Sequence, residues 1–193
     1  MDWEKRFQDN STPWERDGLH PAAQDWVTAG VLSAGRRVLI PGCGRSREVV
    51  HFARLGMQVT GFDLSYTAIH WQAGALDQAG LHAELVEGDG LAWTPAAPLD
   101  LIYEQTFLCA IPPGLRETYE ACAHRWLKPG GRFLALFMQK DERGGPPYGC
   151  SLEAMHELFP ADRWIWPEDE AFTPYPHPNL NGKPELGGIL TRR

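Results

Sequence analysis

From residue 37 onward, short β-branched and apolar runs alternate with stretches whose apolar positions recur at helical spacing. No other feature constrains the fold as strongly. RVLIP (37–41) reads as a buried strand, followed by QVTGFDL (58–64), HAELVEGD (82–89), LDLIYEQ (99–105) and KPGGRFLALFM (128–138). Between the first strands, Ser46 stands where it can cap a helix carrying Val49, Phe52 and Ala53, closed by Gly56. Ser65 opens a second helix with Ile69, Gln72, Ala73 and Leu76 on one stripe, stopped by Gly80. PPGLRETYEACAHRWL predicts a helix with Pro112 and Pro113 in its first turn and Leu115, Tyr119, Cys122 and Trp126 facing one way. A short helix from Ser151 to Leu158 precedes two strand-like runs, RWIW and LGGILTRR, with no helix pattern between them. These two are expected to pair antiparallel at a sheet edge. The whole predicts an α/β protein with a mostly parallel sheet covered on both faces.

A chain of 193 residues with 43% apolar side chains suits a single domain spanning 1–193. Residues 1–30, with Trp3, Trp14 and Trp26, read as a helical aromatic arm, and the loop at 139–150 and the tail at 167–185 as lids. In an open sheet of this kind ligands sit beyond the carboxyl ends of the strands, which both lids leave. The net charge of −7 argues against a nucleic-acid partner. No run approaches the ~18 to 20 apolar residues that cross a bilayer, and MDWEKRFQDN lacks the apolar core of a secretion signal. A cytoplasmic protein, monomeric or weakly dimeric, with a small-molecule partner is the expectation. The four cysteines show no metal-ligand spacing and are expected as free thiols, with no histidine placed to activate Cys109 or Cys150.

The chemistry concentrates at PGCGRSREVV. Gly42 and Gly44 sit where the first strand turns into its helix, and glycine there allows positive φ and close approach of a ligand to backbone. Asp63 ends the second strand, where a carboxylate can accept both ribose hydroxyls. Together they point to an adenosine-bearing ligand; the plainer alternative is a tight turn with a capping aspartate. A dinucleotide is disfavoured because the third glycine of G-x-G-x-x-G is replaced by Arg47. S-adenosylmethionine, without a diphosphate, fits better. Asp89 then either accepts from the adenine amino group or caps a turn.

DWEKRFQDNSTPW, PGCGRSREVV, GFDLS, DLIYEQTFLCAIPPGLR and GGPPY resemble the thiopurine methyltransferase family, nearest its thiol and halide branch, in order and from residue 3 to about 190. The resemblance implies a Rossmann-like class I methyltransferase fold: a seven-stranded, mostly parallel sheet with an antiparallel C-terminal hairpin and an arm over the cofactor. It places cofactor-contacting aromatics at Trp3, Phe7 and Trp14, the glycine turn at Gly42 and Gly44, the ribose acid at Asp63 and adenine contacts at Asp89 and Gly90. Glu104 and Gln105 fall where the family faces the cofactor's methionine part and the acceptor. Aromatic faces stabilise a sulfonium, and the same rings can staple the arm to the core.

Two departures matter. Gln105 stands where thiopurine enzymes resemble one another in having arginine, and Glu104 replaces the usual aspartate, a longer acid expected to reach further into the pocket. The tail retains only Lys183 of the halide branch's basic residues. Tyr148 is the candidate acceptor-facing side chain, donating to an anion or packing on the arm. His177 is either a base or a solvated loop histidine. The implied activity is in-line methyl transfer from S-adenosylmethionine, leaving S-adenosylhomocysteine, to a thiol, bisulfide, thiocyanate or halide. O- or N-methylation, a cofactor-binding module without turnover, and last a nicotinamide dehydrogenase remain alternatives.

Overall fold

The computed structural model describes residues 1–177 and 181–193, which divide into two compact units, Met1–Trp93 and Thr94–Arg193. The first holds helices α1 (Trp3–Gln8) and α2 (Pro21–Thr28), strand β1 (Arg37–Pro41), α3 (Glu48–Arg54), β2 (Gln58–Asp63), α4 (Tyr66–Ala79) and β3 (Glu84–Glu87). Its strands run parallel in the order β3-β2-β1, with Ile40 beside Gly61 and Asp63 beside Glu87. Four of the five residues of β1 and five of the six in β2 are buried, as expected for strands covered on both faces.

Local signals set α4 as expected: Ser65 Oγ accepts from the Ala68 amide, and Gly80 ends the helix at φ 64°. Ser46 does not cap α3, contrary to expectation. That helix starts after Arg47 with no side-chain cap, because residues 42–47 are spent in the turn that follows β1.

The second unit holds β4 (Leu99–Glu104), the single turn α5 (Phe107–Ala110), α6 (Arg116–Trp126), β5 (Leu127–Met138), α7 (Leu152–Leu158), β6 (Trp164–Ile165), β7 (Thr173–Pro176) and β8 (Pro184–Arg192). β4 and β5 are parallel, and β8 lies antiparallel to β5 with Phe137 beside Leu186. The other side of β8 takes two short strands, β6 at Thr191–Arg192 and β7 at Pro184–Gly187. The antiparallel C-terminal pairing was expected; β7, an eighth strand inside the tail assigned as a lid, was not. Its sequence TPYP hides strand character behind two prolines, tolerated at a sheet's margin. Residues 178–180 of that tail lie outside the described residues. Pro113 and Leu115 form a short 3-10 turn before α6, so Leu115 stays exposed and drops out of the predicted stripe, while Tyr119, Cys122 and Trp126 are buried.

Aromatic packing holds this unit. Phe159 lies 5.1 Å from Phe133 and 5.3 Å from Trp164, whose indole N–H donates to Glu120 at 2.5 Å. The paired glycines of LGGIL make room for rings: a Cβ on Gly188 would fall 2.1 Å from Phe172, and one on Gly187 2.6 Å from Tyr175. Replacing Gly188→Ala is expected to cost about 1 to 3 kcal/mol through overpacking, measured as a lower urea midpoint with unchanged slope.

Candidate active site

The glycine turn is shaped from beneath. Gly42 and Gly44 both take positive φ, 56° and 47°. The Asp63 carboxylate accepts from the Gly44 amide through Oδ2 and from the Ser65 amide through Oδ1, each at 2.9 Å, so one side chain ties the turn to the start of α4. Gln72, fully buried on α4, donates through Nε2 to the Gly44 carbonyl at 3.0 Å and the Ser46 carbonyl at 2.9 Å. Cys43 packs behind the turn, its Sγ 3.1 Å from where a Gly61 Cβ would stand. Burial, with the Asp63 charge adding to it, pushes the Cys43 thiol well up, so it is a packing residue rather than a thiolate.

Asp63 is 8% exposed, and burial raises its carboxyl against the pull of the Ser65 and Gly44 amides. Each of these oxygens accepts one of the two amides, and a carboxylate oxygen has capacity for a second bond. The residues therefore fit a ribose as well as the capping role. Asp89 is exposed and its Oδ1 caps a short 3-10 turn at the Leu91 amide, 3.0 Å away. Gly90 has a packing reason to be glycine, since a Cβ there would lie 2.2 Å from the Phe62 ring.

The arm is fastened at two points, to this turn and to the head of α4. Arg45 bonds both Glu15 oxygens, at 2.7 and 3.0 Å, the Asn10 side chain at 2.8 Å and Thr12 Oγ1 at 3.0 Å, with its guanidinium over Phe7. Glu4 accepts from Ser65 Oγ at 2.6 Å, Thr67 Oγ1 at 2.7 Å and the Thr67 amide at 3.1 Å. These hydroxyls, Ser65 first, hold its carboxyl down at about 2. Phe7 is the staple of the arm: it is 4% exposed, and its ring lies 3.1 Å from the Cβ position of Gly44. Trp14 meets Trp3 and Phe7 edge-on at 5.5 and 6.0 Å, and both tryptophans stay half-buried.

In the second unit Glu104 points inward. It is 1% exposed, accepting from the Leu108 amide at 2.8 Å and the Tyr119 hydroxyl at 2.5 Å. Burial raises its carboxyl to about 7, opposed by the Leu108 amide, the Tyr119 hydroxyl and the Arg116 charge. The longer acid, expected to reach further into a pocket, is held in the core of its unit by Leu108 and Tyr119. Gln105 is half-buried and accepts from the Tyr103 hydroxyl at 3.1 Å.

Tyr148 is half-buried, and its amide donates to the Cys109 carbonyl at 2.7 Å. The 139–150 loop is laced down further. Arg116 donates to the Gly149 carbonyl at 3.0 Å and to Cys150 Sγ at 3.3 Å, and Gln139 to the Cys150 carbonyl at 2.9 Å. Arg116 and Gln72 are two positions whose duties the sequence did not signal; PPGLR carried the only hint of the first. His177 is buried, not solvated, its amide donating to the Lys183 carbonyl. Burial keeps the Cys109 and Cys150 thiols raised, Cys150 to about 12. Among the described residues, no three His, Cys, Asp or Glu side chains gather as a metal site and no helix is long and apolar enough to cross a membrane.

The Thiopurine S-methyltransferase (TPMT) family model matches residues 1–169. Probable thiol methyltransferase 2 of Arabidopsis thaliana is 38% identical over 81% of this chain and 70% of its own length. Thiocyanate methyltransferase 1 of the same plant is 32% identical over 96% of this chain and 82% of its own length. Among solved structures, a Burkholderia thailandensis 1,6-didemethyltoxoflavin-N1-methyltransferase with bound S-adenosylhomocysteine superposes with a TM-score of 0.81 at 22% identity, covering 99% of this chain and 85% of that one. That likeness shows the class I methyltransferase fold.

The buried acid and the fastened arm each lead to a measurable outcome. Glu104 holds a proton in the folded chain up to about pH 7 but ionises near 4.5 when unfolded, so its contribution to stability falls as pH rises between those values. Glu104→Gln is expected to flatten that part of the stability profile in urea titrations at pH 4.5 to 7. Arg45→Ala is expected to leave the fold intact while exposing residues 10–15 to faster cleavage in limited proteolysis.

Proposed function

The chain belongs to the thiopurine S-methyltransferase family, and from that premise we propose that it methylates a small, soft nucleophile: a thiol, bisulfide, thiocyanate or halide. S-adenosylmethionine is the methyl donor. When bound it supplies a methyl on a sulfonium, which the acceptor's lone pair takes in line while the old bond's electrons stay on sulfur. The observation that carries the reading is the Gly42–Gly44 turn held by Asp63, with Phe7 of the fastened arm against Gly44 and Trp3 and Trp14 half-buried on that arm.

In this reading Asp63 offers its remaining acceptor capacity to the ribose, and Asp89 with Gly90 borders the adenine. Trp3, Phe7 and Trp14 keep water from the cation, which aromatic ring faces stabilise at roughly 0.5 to 2 kcal/mol per contact. Gln105 and Tyr148 are assigned to the acceptor. An acceptor that is already ionised needs no base, and excluding water favours a step in which opposite charges cancel. Neither candidate base favours O- or N-methylation: Glu104 is spent on Leu108 and Tyr119, and His177 is buried.

Labelled S-adenosylmethionine with a panel of thiols, bisulfide, iodide and thiocyanate tests the proposal. Methylation of at least one, with kcat/KM for thiols following the thiol's own ionisation, is expected. Cofactor binding without methylation of any member would refute the acceptor class. Asp63→Ala should weaken S-adenosylhomocysteine binding by about 1.5 to 3 kcal/mol in calorimetry, the range for a charge-assisted hydrogen bond.

A further inference from the structure

We propose that Gln72 is a positioning residue for the cofactor, setting the glycine turn in its binding shape before any ligand arrives. The inference rests on the assignment of that turn to the cofactor. It starts from an anomaly: Gln72 lies on the apolar stripe of α4 between Ala68 and Leu76, fully buried, where a leucine would pack more cheaply.

The nitrogen end of its amide accounts for the anomaly, while Oε1 is buried without a partner among the described residues. One NH2 group bridges two carbonyls of the same turn, Gly44 O at 3.0 Å and Ser46 O at 2.9 Å, reaching back 28 and 26 residues. The amides of the turn are also engaged: Cys43 N donates to Phe62 O at 2.9 Å, Gly44 N to Asp63 and Ser46 N to Cys43 O at 3.0 Å. Asp63 therefore holds the turn by a donor and Gln72 by its acceptors. Two glycines at positive φ have the most conformational freedom to lose. Side chains that fix them in advance spare that loss when ligand binds.

Spanning both carbonyls from one nitrogen requires a side chain with two N–H bonds on that atom, which glutamine has. Methionine matches the length and volume of glutamine without a donor. Glutamate matches the shape but, when ionised, turns a carboxylate on two carbonyl oxygens, and when protonated restores one donor.

The test compares wild type, Gln72→Met and Gln72→Glu by calorimetry with S-adenosylhomocysteine and by steady-state kinetics. Wild type should bind; failure to bind refutes the cofactor assignment itself, not the role of Gln72 within it. Gln72→Met should lose about tenfold or more in affinity, with KM for S-adenosylmethionine raised and kcat at saturation nearly kept. Gln72→Glu should lose more at neutral pH and recover towards wild type, measured at each pH because Asp63 faces the same turn, as its carboxyl protonates. A merely structural glutamine would lower the melting temperature and leave affinity in the folded fraction unchanged, which overturns the proposal. Hydrogen exchange on wild type tests whether the turn is set in advance even if the variants do not fold. The amides of Cys43, Gly44 and Ser46 should be protected without ligand, and protection that appears only on binding overturns the proposal.

Discussion

A single carboxylate organises the first unit. Asp63 ends a buried parallel strand and is itself buried, yet its two oxygens serve amides on different elements, Gly44 in the turn after β1 and Ser65 at the head of α4. Burying that charge is costly unless it is well bonded. The backbone meets the requirement, and in doing so fixes where the turn and the helix stand. Ser65 then passes the constraint on: its hydroxyl caps α4 at Ala68 and donates to Glu4, which anchors the arm. Turn, helix and aromatic arm thus share one chain of hydrogen bonds.

Much of this was legible because it is local. The β1 run, the Ser65 cap and the Gly80 stop depend on neighbours within a few residues, and the structure follows them. Asp63 was legible as the acid closing a strand after a glycine turn. Its double amide duty was not, since the Gly44 partner is 19 residues away. Gln72 matched the helical period and so passed for part of an apolar stripe, its partners being carbonyls of a distant turn.

The departures from expectation share a cause. Ser46 had the right chemistry for a cap, but the tight turn consumed the residues that would have begun the helix. Glu104, longer than aspartate, was expected to reach further into the pocket. Its carboxylate meets Tyr119, 15 residues on, where burial raises the carboxyl to about 7. His177, in a polar proline-rich stretch, ends buried because its segment joins the sheet through β7. In each case tertiary packing decided between two locally plausible states.

The short strands along β8 bear on how the molecule behaves in crowded solution. A long bare strand offers a row of open amides and carbonyls to which another chain can add. Here that flank is divided between the two residues of β6 and the four of β7, and Pro174 and Pro176 lack the amide hydrogens a newcomer would need. The same prolines that disguised β7 as loop thus make its outer side a poor template for aggregation.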